Sequence, residues 1–118
     1  MKRTIFIGDV HGCYDEMMKM LDAIHFTPGE DTVYFTGDLI GKGPQSFQVI
    51  QEIVKNQFLC VKGNWEAHLL KLISAPESEW TEKTKRMAAT LEDPFWIANV
   101  VKDWPLWRDT PNGLLVHA

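Results

Sequence analysis

Five side chains able to bind divalent metals follow short apolar runs in this 118-residue chain. Ile5-Phe6-Ile7 leads into Gly8-Asp9-Val10-His11-Gly12, and Thr32 to Thr36 leads into Gly37-Asp38. Phe58 to Val61 leads into Gly63-Asn64, and Leu114-Leu115-Val116 leads into His117. Asp9 and His11 are two positions apart, so in an extended segment they point the same way and can grip one ion. Two carboxylates, two imidazoles and one amide carbonyl suit Mn²⁺, Fe²⁺ or Zn²⁺ better than Ca²⁺ or a thiolate-bound metal. Glycines beside them let the backbone turn sharply where a ligand must approach. Singly, an Asp after a strand is a turn residue or a cap, and a lone His is a surface or core residue. The signal is that all five groups stand at strand ends.

The elements that must position them are legible from periodicity. The apolar runs read as buried strands. Tyr14, Met17, Met18, Leu21 and Ile24 have helical spacing, and Phe26 to Asp31 is turn chemistry. Ser46 reads as the cap of a helix carrying Phe47, Ile50, Ile53 and Val54. Trp65, Leu69, Leu72 and Ile73 suit a third helix, and Trp80, Thr84, Met87, Ala88 and Leu91 a fourth. Asp93-Pro94 reads as cap and first residue of a fifth, which carries Ile97, Val100, Val101 and Trp104. The order β-α-β-α-β-α-α-α-β predicts an α/β fold with a largely parallel sheet, and ligands bind at the carboxyl edge of such sheets. Residues 74–92 are the most polar stretch and read as a helical insertion.

Composition narrows the function classes. Sixteen acidic against twelve basic residues, net −4, leave no cationic footprint for nucleic acid. No apolar run approaches the ~18 residues of a membrane span, and the apolar start stops at Gly8-Asp9, short of a signal peptide. Cys13 and Cys60 cannot form a disulfide framework and fit a reducing compartment. The expectation is a soluble, cytoplasmic chain forming one domain, residues 1–118. Four of the five tryptophans fall late and most glycines early. That suggests a front half of tight turns and a back half of aromatic helices. Gly37-Asp38-Leu39-Ile40-Gly41-Lys42-Gly43 is no P-loop, because the glycine spacing is wrong and no Ser or Thr follows the lysine. A dinucleotide fingerprint after the first strand is also missing.

In combination, Gly8-Asp9-Val10-His11-Gly12, Gly37-Asp38-Leu39-Ile40-Gly41-Lys42-Gly43-Pro44, Gly63-Asn64-Trp65-Glu66 and Val116-His117-Ala118 resemble the successive motifs of calcineurin-like metallophosphoesterases. Phe26 to Thr32, Gly12 to Glu16 and His68-Leu69-Leu70 are similar to the bacterial symmetrical diadenosine tetraphosphatase branch. The resemblance implies a metallophosphoesterase-type sheet with flanking helices, the N-terminal part of a four-layer αββα sandwich. It also implies two divalent ions, with Mn favoured over Fe or Zn. Asp9 and His11 would bind the first, Asp38 would bridge, and Asn64 and His117 would bind the second. A water made nucleophilic between them would attack phosphorus in line. Asp38, Asn64 and Lys42 would carry catalysis. Lys42 stands where the family usually has an arginine on phosphate oxygens, and His68 is a further substrate-contact candidate. The substrate would be a phosphorylated small molecule or nucleotide.

Two departures from the pattern matter. The position of the family's acid histidine holds Trp65, and the position that orients it in the protein-phosphatase branch holds Gly41. Without a general acid, worth roughly 10²–10⁴ in rate, a basic serine alkoxide is a poor leaving group. A phosphate or nucleotide leaves without one. The expected reaction is therefore cleavage of a phosphoanhydride or activated phosphoester, as in dinucleoside polyphosphates. A glycine at 41 would also make room for the indole of Trp65. Second, family members continue past the Val-His-Ala motif with another histidine ligand, so the chain is expected to lack a C-terminal part. Its aromatic surface would then be exposed or paired in a homo-oligomer. The rival reading is a metal- or nucleotide-binding module of the same fold with impaired catalysis.

Overall fold

The computed structural model describes residues 2–117; Met1 and Ala118, which closes the Val116-His117-Ala118 motif, lie outside them. Strands β1 (Arg3–Ile7), β2 (Asp31–Phe35) and β3 (Leu59–Cys60) form a parallel sheet in that order. Thr4 lies opposite Thr32 and Ile7 opposite Phe35, while Phe35 also faces Cys60. All three strands therefore end together, and the loops that follow them share one edge. Helices α1 (Tyr14–Ala23) and α2 (Ser46–Asn56) make the two crossovers. Parallel crossovers are right-handed almost without exception, which puts both helices on one face, and they touch.

The apolar spacing becomes the core. Met17 and Leu21 of α1 and Val49, Ile50 and Ile53 of α2 are buried with Val33 and Phe35 of β2. Each such side chain contributes about 1.5–3 kcal/mol relative to exposure. Helix α3 (Asn64–Ile73) packs through Leu69 and Leu72 beside α5 (Pro94–Val101), which buries Ile97, Ala98 and Val101. Asp93 caps α5, its Oδ1 accepting the Trp96 N–H at 3.1 Å, and Pro94 is the first helical residue as expected. The polar stretch is indeed helical: α4 spans Glu82–Thr90, with Thr81 as its cap. A short 3₁₀ turn at Glu77–Glu79 precedes it.

Three expectations need correction. Ser46 does not cap α2: Gln45 occupies that position, and the buried Ser46 Oγ instead accepts the Gly41 N–H at 3.1 Å. The loop after β2 needs that acceptor more than the helix does, because the Gly41 amide is buried. The last apolar run does not join the parallel sheet. It is β5 (Gly113–Val116), paired antiparallel with β4 (Trp107–Thr110), a strand absent from the sequence reading. Pro111 and Asn112 turn the chain, and Gly113 at φ 127° takes up the reversal that a side chain would strain. The back half is accordingly not all helical. Trp107 lies in a strand and is 54% exposed, whereas Trp80, Trp96 and Trp104 pack partly buried on the core.

The hairpin is fastened to β3. Arg108 Nε donates to the Cys60 carbonyl at 2.8 Å, and the Lys62 N–H donates to the Pro105 carbonyl at 2.8 Å. That docking brings the end of β5 to the carboxyl edge of a sheet it does not join. Both cysteines are free thiols, and among the described residues no helix is long and apolar enough to cross a membrane.

Candidate metal centre

The loop after β1 carries Asp9 and His11, and the loop after β2 carries Asp38. Ligand atoms of these three residues lie within 4.8 Å of one another. The two loops are stitched together by backbone bonds: the Val10 and His11 amides donate to the Asp38 carbonyl, and Gly12 donates to Leu39. His11 has φ 48°, Asp38 φ 55° and Lys42 φ 54°, all in the left-handed region that non-glycine residues seldom enter. Each such residue costs on the order of 1 kcal/mol and persists only where surrounding contacts enforce it, as these stitches do.

Both imidazoles turn one ring nitrogen to a backbone carbonyl and the other to a carboxylate. His117 Nδ1 lies 2.8 Å from the Thr36 carbonyl, which can only accept, so Nδ1 carries the proton. That leaves Nε2 as the nitrogen facing the cluster, 3.2 Å from Asp38 Oδ2. His11 repeats the arrangement, with Nδ1 3.3 Å from the Ile40 carbonyl and Nε2 3.6 Å from Asp9 Oδ2. Fixing the tautomer through a backbone carbonyl is how metal-binding histidines are usually held. Asp38 thus touches both sides: Oδ2 faces His117, and Oδ1 accepts the Trp65 N–H at 2.9 Å. Gly37 permits this convergence, since a Cβ there would sit 2.8 Å from the Gly63 backbone and 3.0 Å from His117 Nδ1. Oxygen and imidazole donors facing one space are a set that divalent ions of the Mn, Fe and Zn kind would fit.

Sequence reasoning undervalued Glu66, which reads from its position as an ordinary first-turn acid. It is fully buried. Its carboxylate accepts from the amides of Gly63 at 2.8 Å, Asp38 at 2.7 Å and Leu39 at 2.9 Å. Burial pushes its pKa up, against the lowering pull of those three amides. Glu66 therefore clamps the Asp38 loop onto the start of α3. The bond to Gly63 is an ordinary first-turn contact, but position gives no hint of the other two, because Asp38 and Leu39 are 28 and 27 residues away in sequence.

Asn64 opens α3 beside these groups and lines a cleft of about 760 Å³ together with Lys42, Trp65 and His68. The opposite side of the cleft is α4. The indole of Trp65 lies edge-on to His11, with centroids 6.0 Å apart. A Cβ on Gly41 would press into that indole, 2.6 Å from Cδ2 and 2.7 Å from Cζ3. The glycine at 41 does make room for the tryptophan at 65, so the two departures from the motif pattern form one packing unit.

A loop-borne cluster of Asp and His at the carboxyl edge of a parallel sheet fits a metal-dependent hydrolase. The chain belongs to the calcineurin-like phosphoesterases, whose family profile matches residues 2–118. Among curated relatives it is 47% identical over 74 residues to a protein of Citrobacter koseri named bis(5'-nucleosyl)-tetraphosphatase, symmetrical. It is 44% identical over 73 residues to the Escherichia coli K12 protein of the same name. Those matches cover 60% of this chain and 26% of each relative, so the chain spans well under half their length. A crystal structure described as a candidate diadenosine tetraphosphatase superposes with TM-score 0.79 at 28% identity, covering 99% of this chain and 54% of that one. A metallophosphoesterase from Sphaerobacter thermophilus shares the fold, with TM-score 0.63 at 15% identity over 89% of this chain and 41% of that one.

Proposed function

We propose that this chain carries the metal-binding and phosphate-binding front of a hydrolase that cleaves phosphoanhydrides of the dinucleoside polyphosphate kind. The observation that carries the reading is Asp38, whose carboxylate faces His117 on one side and shares a 4.8 Å cluster with Asp9 and His11 on the other. Asp9, His11 and Asp38 would hold one divalent ion, and Asp38, Asn64 and His117 a second. Such ions supply a nucleophilic water near neutral pH and neutralise phosphate charge. Lys42 would hold phosphate oxygens as a point charge, without the two-pronged grip of an arginine. His68, on the exposed side of α3, would contact the same substrate.

The leaving group is set by Trp65. An indole N–H does not give up a proton at physiological pH, so nothing at this position can protonate a departing alkoxide. Phosphate and nucleotide leaving groups are far less basic and depart unassisted. The curated relatives named as tetraphosphatases support the same substrate class. Trp65 also favours a second reading, a metal- or nucleotide-binding module of this fold that does not turn over.

Turnover with added Mn²⁺ separates these. The enzyme reading expects hydrolysis of diadenosine tetraphosphate, slower hydrolysis of phosphoserine peptides, and loss of both in Asp38→Asn by at least about 10²-fold. Binding without turnover supports the module. Faster turnover of phosphoserine contradicts the leaving-group argument.

A further inference from the structure

Helix α4 has no part in the metal centre, yet it forms the far wall of the cleft that opens from it. The cleft of about 760 Å³ is bounded on the near side by Lys42, Trp65 and His68, and on the far side by Thr84, Lys83 and Arg86. That volume is the size of a small-molecule site. Lys83 and Arg86 are three residues apart on one helix, so they present their charges to the same side. Lys42 faces them across the cleft, and no acidic residue lines it. Among the described residues, none of these three cations forms an ion pair. Lys85, by contrast, pairs with Glu82 at 3.8 Å and lines a different concavity. In a chain of net charge −4, three cations without ion-pair partners around one cavity are a local reversal of the molecule's charge.

We infer that α4 is the specificity wall for an oligophosphate: Lys83 and Arg86 bind the phosphates beyond the one held at Lys42. Arginine can take two phosphate oxygens in a forked contact, and lysine adds a second point charge along the chain. A single phosphate held near Asn64 and Lys42 does not need this wall; three or more linked phosphates span toward it. The inference rests on the hydrolytic reading for where the reacting phosphate sits, but the cationic wall is defined without it.

The test is calorimetric titration of the whole chain, stripped of metals on a chelating resin, with inorganic tripolyphosphate and with orthophosphate. Tripolyphosphate is expected to bind more tightly than orthophosphate. The double substitution Lys83→Gln with Arg86→Gln is expected to weaken tripolyphosphate binding by at least about tenfold. Lys85→Gln, which removes one positive charge from another face of α4, is expected to leave it within about twofold. All three positions are solvent-exposed, and matched thermal melts check that the variants fold. No tripolyphosphate binding, an unchanged affinity in the double variant, or an equal loss in Lys85→Gln each overturns the inference. Mn²⁺-dependent hydrolysis of bis(p-nitrophenyl) phosphate, which has a single phosphate and none to place on α4, separates the two readings. Its absence alongside the tripolyphosphate loss removes the hydrolytic reading and keeps the wall; its persistence without that loss does the reverse.

Discussion

Glu66 shows what a single residue does for this site. Its two oxygens gather the amide of Gly63, at the start of α3, and those of Asp38 and Leu39, in the loop after β2. An unsatisfied buried amide costs about 1–3 kcal/mol, so Glu66→Ala is expected to destabilise the chain by about 3 kcal/mol or more. Glu66→Gln keeps one acceptor oxygen and should lose less. Urea denaturation measures both, and a loss under about 1 kcal/mol for the alanine variant contradicts the clamp. The contrast with Asp9, His11, Asp38, Asn64 and His117 is instructive. Their places at strand ends are legible in the sequence because an apolar run, a turn and a polar side chain repeat in series, and Asp9, His11 and Asp38 do cluster. Glu66 is not, because its bonds to the Asp38 and Leu39 amides reach across the fold, where no local pattern encodes them. The left-handed backbone of His11 and Asp38 was equally hidden, since neither is a glycine.

At the scale of elements, the three parallel strands and the five α-helices follow from apolar spacing and cap residues such as Asp93 and Pro94. The hairpin did not. Trp107-Arg108-Asp109-Thr110 has no apolar alternation and is half exposed, so nothing marks it as a strand until its partner is in place. Its pairing is long-range in effect: Arg108 and the residues before it tie the hairpin to β3, and only then can His117 reach Thr36.

The opposite end of the sheet has its own clamp, and it titrates. Arg3 of β1 donates to both oxygens of Asp31 of β2, at 3.0 and 2.8 Å, and the Thr27 amide adds a third bond at 2.8 Å. The Arg3 guanidinium, and then the Thr27 amide, hold the Asp31 carboxyl down at about 2. A carboxyl depressed from its ordinary value near ~3.9 stabilises the fold above that value, and the stabilisation is lost as pH falls toward about 2. The chain should therefore lose stability between about pH 4 and pH 2 more steeply than Arg3→Gln does. Denaturation midpoints across that range check it, and parallel curves for the two proteins contradict it.

At the scale of the molecule, charge and shape separate by region. The net charge is −4, yet the cleft beside the metal centre is lined by lysine, arginine and histidine. That reversal is invisible in a composition count, because it arises only when α4 comes to line the cleft opposite α3. The hairpin lies at the other extreme: Leu106, Trp107, Leu114 and Val116 are each at least half exposed. The front of the chain, by contrast, is enclosed: Phe35, Leu39, Ile40 and Val61 are fully buried around the loops that carry the ligands. A rigid frame of this kind is what a centre made of loop residues requires, since the strain at His11 and Asp38 is held by packing beneath them.

On the function proposed above, four strand ends would assemble a centre for two ions sharing Asp38. Elemental analysis of the chain, loaded with Mn²⁺ and dialysed, tests it most directly. Two ions per chain are expected, at most one after His117→Ala, and near-complete loss after Asp38→Asn. A single ion in the unaltered chain, or two ions retained by Asp38→Asn, would contradict it.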